Sequence, residues 1–170
     1  MNNLEFKAEL RDPVLARSIC RTLHAAWIAE VQQVDTYYRV PSGRLKKREQ
    51  FGEPVEFIYY ERPNRSKPKI SSFEIYTQEQ AAERFGAAPL PVWTIVRKSR
   101  EIFILNHTRI HLDKVEGLGT FLELESIVSK QHDQSKCALD IMALRTALAP
   151  ALGEPIDCSY SDLQARDSAA

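Results

Sequence analysis

An α+β fold is predicted by three observations: stretches in which apolar and ionisable residues alternate, glycine or proline corners joining them, and a few intervening segments at helical spacing. The clearest case runs from His107 to Glu125. Arg109, His111 and Asp113 alternate there with Ile110 and Leu112, and beyond the corner Glu123 and Glu125 alternate with Leu122 and Leu124. Each strand has an apolar and an ionisable face. Gly117 and Gly119 supply the positive φ that a tight reversal requires. Asp113, Glu123 and Glu125 can therefore converge on one surface. On these strands alone, an ordinary antiparallel sheet with one face in water also accounts for the pattern.

The remaining elements follow in order. Asn3–Leu10 alternates, with Asn3, Glu5, Lys7 and Glu9 on one side. Asp12 and Pro13 form an N-cap and first turn, and Val14, Leu15, Ile19, Leu23 and Trp27 recur at helical spacing, predicting a helix over the sheet. Val34–Val40 is rich in β-formers and ends at Pro41-Ser-Gly43. If residues 44–49 form a strand, Arg44, Lys46 and Arg48 share a face; a solvated charged edge is the other reading. Val55–Arg62 and Lys69–Tyr76 are further strands, the first ending in Arg62 and the second placing Lys69 beside Ser71. Gln78–Phe85 is a short helix closed by Gly86. Val92–Leu105 is a long strand with Lys98 and Arg100 on one face, turning at Asn106-His107. A helix is predicted over Lys136–Leu148 with Leu139, Met142 and Ala143 inward. Ile156–Leu163 is expected as an edge strand or docking segment, and residues 166–170 as a disordered tail.

The 170 residues suit one domain spanning the chain. Lysine plus arginine balances aspartate plus glutamate, 23 against 23, so no global field draws the protein to nucleic acid or membrane, and an anion site must be built locally. Cys20, Cys137 and Cys158 are far apart and in no CxxC arrangement, and are expected as buried thiols. With no signal peptide or bilayer-length apolar run, a cytoplasmic location is expected.

Lys7, Arg44, Lys46, Arg48, Arg62, Lys69, Lys98, Arg100 and Arg109 fall on one set of faces, opposed by Glu5, Asp113, Glu123 and Glu125. A sheet curled into a barrel would turn these faces inward and leave the apolar side for helices. Many cations in a lumen suit a compact polyanion, and the carboxylates suit a hard divalent cation such as Mg²⁺ or Mn²⁺. That combination points to phosphoryl or nucleotidyl chemistry.

These segments carry a resemblance. Asn3-Leu-Glu5-Phe-Lys7, residues 43–48, Ile58-Tyr-Tyr-Glu-Arg62, Lys98-Ser-Arg100 and the block from Thr108 to Glu125 are similar to the CYTH superfamily, or triphosphate tunnel metalloenzymes. Among its branches the chain most resembles the one labelled class IV adenylyl cyclase, and more distantly the thiamine triphosphatases. The resemblance implies an eight-stranded antiparallel β-barrel with helices outside and triphosphate and metal in the lumen. Glu5, Glu123 and Glu125 would bind Mg²⁺ or Mn²⁺, with Asp113 as a ligand or water-orienting base. Phosphate would be bound by Lys7, Arg44, Lys46, Arg48, Arg62, Lys69, Lys98, Arg100 and Arg109, and Lys7, Asp113 and Glu125 would be catalytic. The family signature begins Glu-x-Glu-x-Lys, whereas position 3 is Asn, so one carboxylate is missing from the metal cluster.

The expected activity is metal-dependent hydrolysis of inorganic triphosphate, thiamine triphosphate or a nucleoside triphosphate. Adenylyl cyclase chemistry on ATP is the alternative, followed by a non-catalytic polyphosphate or nucleotide sensor. RNA binding through residues 44–48 and 62–69 is weaker, since the net charge is zero and interleaved aromatics are few. The expected partner is a small-molecule triphosphate, without nucleic acid or membrane, bound by a monomer or homodimer.

Overall fold

The computed structural model describes residues 1–61 and 67–169. Arg62 and its neighbours to Ser66 lie outside the described residues. In chain order the elements are β1 (Asn2–Leu10), α1 (Pro13–Thr22), β2 (Ala26–Tyr38), β3 (Arg44–Gln50), β4 (Glu56–Glu61), β5 (Lys69–Tyr76), α2 (Gln78–Phe85), β6 (Val92–Leu105), β7 (Thr108–Val115), β8 (Gly119–Ile127), α3 (Gln134–Leu148), β9 (Leu152–Pro155) and α4 (Tyr160–Ser168). The strands pair antiparallel in the order β5-β4-β3-β2-β6-β7-β8-β1, and β1 pairs back to β5. Eight strands thus close into a barrel, with β9 added along β1.

Closure turns the two-faced pattern inside out. The apolar residues Leu4, Phe6, Ile110, Leu122 and Leu124 point outward into a buried core with Ala16 and Cys20 of α1 and Cys137, Ile141, Leu144 and Leu148 of α3. Hydrophobic burial therefore fixes the register of this wall, because a slip of one residue would put charges under the helices. The polar faces line the lumen. A second cluster, Tyr37, Tyr60, Val96, Val115, Phe121 and Tyr160, packs at one end beneath α4. All three cysteines are free and buried. No helix among the described residues is long and apolar enough to cross a membrane.

Several expected boundaries are corrected. Trp27 does not continue the first helix, which ends at Thr22. It lies in β2, which starts at Ala26 and pairs along nearly the whole of β6. Long-range pairing overrides the helical spacing there, and the register shift between Trp27 and Ala29 marks a bulge. Leu139, Met142 and Ala143 face outward; Cys137, Ile141 and Leu144 face the barrel instead. Of the two forms expected for residues 156–163, the edge strand is not formed and the docking segment is, as α4, capped by Ser159 and Asp162 and packed on the barrel through Tyr160 and Leu163; the expected disordered tail is helical to Ser168. Leu152–Pro155, to which no element was assigned, forms β9 along β1.

Candidate functional site

Strand register places the charged residues side by side. One rung runs Arg109, Glu125, Glu5, Lys69 across β7, β8, β1 and β5; the next runs Ile102, His111, Glu123, Lys7 across β6, β7, β8 and β1. Residues at every second position of these strands line a cavity of about 500 Å³ that includes Glu5, Lys7, Lys46, Arg48, Lys98, Arg100, Arg109, Glu123 and Glu125.

On the β2, β3 and β6 wall, the sequence reading missed the organising residue, Asp35. It is wholly buried. Arg48 grips both its oxygens at 2.8 and 2.7 Å, Lys98 Nζ lies 3.1 Å away and Lys46 Nζ 3.2 Å away. Burial pushes the Asp35 carboxyl up, but the charges of Lys46, Lys98 and Arg48 outweigh it and hold the group well below the usual range. Burial also pulls Lys98 down to about 7; Arg100, Arg48 and Lys46 pull the same way and Asp35 opposes them. Its signal in the sequence was the alternation of Gln33, Asp35 and Tyr37, in phase with the lumen.

The β1, β7 and β8 wall carries the carboxylates. Lys7 Nζ lies 3.4 Å from Glu123, and Arg100 lies 3.5 Å from it. Ligating atoms of His111, Glu123 and Glu125 all lie within 4.8 Å of one another. Burial raises Glu125, and the neighbouring Glu123 and Glu5 charges add to this, bringing it to about 8. Burial and the Arg100 charge lower His111 to about 4, so its imidazole is neutral and able to ligate. Its Nδ1, like Asn3 Oδ1, is buried without a hydrogen-bond partner among the described residues. His111 was visible as a member of the alternating strand but was not expected at the site.

Three expected site residues stand elsewhere. Asp113 is buried and does not line the cavity: Arg100 grips both its oxygens at 2.7 Å and the Tyr160 hydroxyl donates to it at 2.6 Å, an arrangement that orients Arg100. Arg44 pairs with Asp162 at 2.9 Å and lies over Trp93 at the α4 end, outside the lumen lining. Lys69 is buried and donates to the Asp157 carbonyl at 2.9 Å, also outside that lining. Arg62 falls outside the described residues.

Tyr160 was not expected at all. Its ring lies 4.1 Å from Lys7 Nζ and 5.4 Å from Lys98 Nζ, closing one end of the lumen. The spacing Ser159-x-x-Asp162 is a capping box and was the available signal for the helix that delivers it.

The sequence is 28% identical over 138 residues to a Methanocaldococcus jannaschii protein provisionally named an adenylate cyclase, covering 77% of this chain and 76% of that one. A solved Vibrio parahaemolyticus structure, provisionally described as an adenylate cyclase, superposes with a TM-score of 0.73 at 16% identity, covering 96% and 97% of the two chains. A Hippeastrum protein, provisionally named an adenylyl cyclase and described as having a dominant triphosphatase activity, superposes at 0.65 with 12% identity, covering 97% and 96%. Residues 1–154 match the CYTH domain, and with the closed barrel this shows that the chain belongs to the CYTH domain family.

Proposed function

We propose that the protein is a divalent-metal-dependent enzyme that hydrolyses a triphosphate held in its lumen. The observation that carries this reading is the pairing, within one cavity, of a cation wall with a carboxylate and imidazole group. The donor set fits a hard divalent cation: Glu123 and Glu125 would supply oxygens and His111 Nδ1 a nitrogen, and Glu5, which stands opposite Glu125 on β1 and lines the same cavity, could add a further oxygen. Mg²⁺ or Mn²⁺ bound there would neutralise charge on the phosphate oxygens. Asn3 offers a carbonyl oxygen in place of the family's first glutamate, which weakens a second cation position.

Lys46, Arg48 and Lys98 hold phosphate oxygens from one side, and Lys7, Arg100 and Arg109 from the other. Asp113 and Tyr160 hold Arg100 in its orientation, so the guanidinium need not be ordered when substrate arrives. Water attacks the terminal phosphorus and the shortened polyphosphate leaves. The Hippeastrum neighbour's described activity supports hydrolysis. The archaeal relative's provisional name favours a second reading, in which the ribose 3′-hydroxyl attacks the α-phosphorus of ATP and pyrophosphate leaves.

Product analysis separates the two. With Mg²⁺ or Mn²⁺, purified protein should release orthophosphate from triphosphates and lose that activity in excess chelator. Cyclic nucleotide with pyrophosphate would select the second reading, and tight binding without turnover would defeat both.

A further inference from the structure

The barrel wall has a notch. β2 runs from Ala26 to Tyr38 and pairs with β6 along nearly its whole length, but β3 covers its other side only from Gln33, opposite Gln50, to Tyr38. Among the described residues, no backbone pairs with that side of residues 26–32. About 23 Å of strand therefore presents a row of free N–H and C=O groups. The stretch Ala26-Trp-Ile-Ala-Glu-Val-Gln32 holds no lysine or proline, and its one charge, Glu30, already accepts from Ser99 Oγ at 3.1 Å. A bulge between Trp27 and Ala29 is its only other protection against pairing. Trp27 is 58% exposed near one end of the notch, and Phe51, in the turn that follows β3, is 100% exposed at the other.

We propose that the notch is filled by the same strand of a second copy of this chain, the two β2 strands pairing antiparallel about a two-fold axis and joining the barrels through one sheet. The pairing is independent of the reaction in the lumen. The ends of the notch fix its register. β3 of each copy occupies the lane beyond Gln32, and the chain turns out of α1 at His24, whose φ is 58°, so each strand begins where its partner's β3 stops. That centres the pairing on Ala29, with Ala26 opposite Gln32, Trp27 opposite Val31 and Glu30 opposite Ile28. Glu30 then faces an apolar side chain instead of its own copy, and a small side chain lies at the axis. Each Phe51 comes against the Trp27 end of the partner's strand, so aromatics exposed at opposite ends of one edge cover each other reciprocally. Only a two-fold copy supplies both contacts at once. The balance of 23 cationic and 23 anionic residues leaves no net charge to hold two copies apart.

Sedimentation equilibrium and amide hydrogen exchange, each over a wide range of protein concentration, test this. A species of twice the chain's mass should form, and exchange within residues 26–32 should slow as it does. Trp27→Lys and Phe51→Lys fall on exposed side chains, so the fold should tolerate them, and each should weaken association about tenfold or more. The double variant Trp27→Lys, Phe51→Glu should regain most of that loss, because the new charges meet only across the axis. A double variant weaker than either single one would show that the two side chains do not meet and would overturn the proposal. So would a chain that stays monomeric at every concentration, which leaves the edge to water or to an extended segment of another protein. A dimer that withstands both lysine variants, or whose edge amides exchange freely, would overturn it as well and place the contact on another face, such as the exposed Leu139 and Met142 of α3.

Discussion

The two charged walls of the lumen are held in opposite ways. On the β2, β3 and β6 wall one buried carboxylate, Asp35, satisfies three cations at hydrogen-bonding range, and the arrangement is complete without a ligand. On the β1, β7 and β8 wall three glutamates crowd together with a neutral histidine, and Glu125 is driven up to about 8 by burial and by the adjacent Glu123 and Glu5. The first wall is a preorganised cradle, whereas on the proposed reading the second would gain its stabilisation when a cation arrives.

The comparison breaks most sharply at Glu125. Glu125→Gln keeps the shape but cannot take up the charge a bound cation would draw out, so metal-dependent phosphate release should fall about a hundredfold or more, while thermal unfolding of the metal-free protein shifts little. Parental turnover in that variant would reduce the carboxylate wall to an ordinary solvated strand.

Asp35→Asn tests the cradle in the opposite sense. Leaving Lys46, Arg48 and Lys98 without their counter-ion should cost about 3 kcal/mol, or roughly 6–12 °C in melting temperature. Tripolyphosphate should restore part of the loss, because it binds only the folded chain. A melting curve unchanged by the substitution would show that the three cations do not depend on Asp35.

The pH response sharpens the contrast. Lys98 is lowered to about 7 by burial, whereas the unfolded chain keeps that proton to about 10.4. Between these values the unfolded state binds more protons, so this group's contribution to stability rises with pH from about 7 upward. Phosphate binding favours the protonated ammonium and runs the other way, so metal-free affinity for tripolyphosphate should weaken as pH rises through 7, by up to about tenfold per unit. Calorimetry in buffers of different ionisation enthalpy should report proton uptake near neutrality, and Lys98→Met should abolish it.

The smallest effect belongs to Arg44. Arg44→Ala should change triphosphate affinity less than about threefold, while Arg109→Ala on the lumen wall should cost tenfold or more, as for a lost charge-assisted contact. Equal losses in the two variants would place Arg44 back among the binding residues.

The alternation of β1, β7 and β8 made the carboxylate wall legible in the sequence, because two-faced strands state which residues share a side. The resemblance extended this to barrel closure and most of the cations. Asp35 was harder to see. Its strand begins in a segment whose apolar residues, ending at Trp27, also fit a helix, and only pairing with β6 settles the matter. Asp113 shows the limit of alternation: period two assigns a side of the sheet but cannot tell a side chain open to the cavity from one consumed by Arg100 and Tyr160. Tyr160 itself depends on a distant helix folding back over the barrel end, which no local pattern specifies.

The lid formed by Tyr160 and its helix has a kinetic consequence. Under the proposed hydrolysis, a passage with one door imposes an order of exit: the fragment nearest the door leaves first, and the orthophosphate lodged behind it leaves last. In steady state the last product to depart competes directly with fresh substrate for the empty enzyme, whereas the first does not. Orthophosphate should therefore act as a competitive inhibitor and the shortened polyphosphate as a noncompetitive one, a pattern that a barrel open at both ends would have no reason to produce.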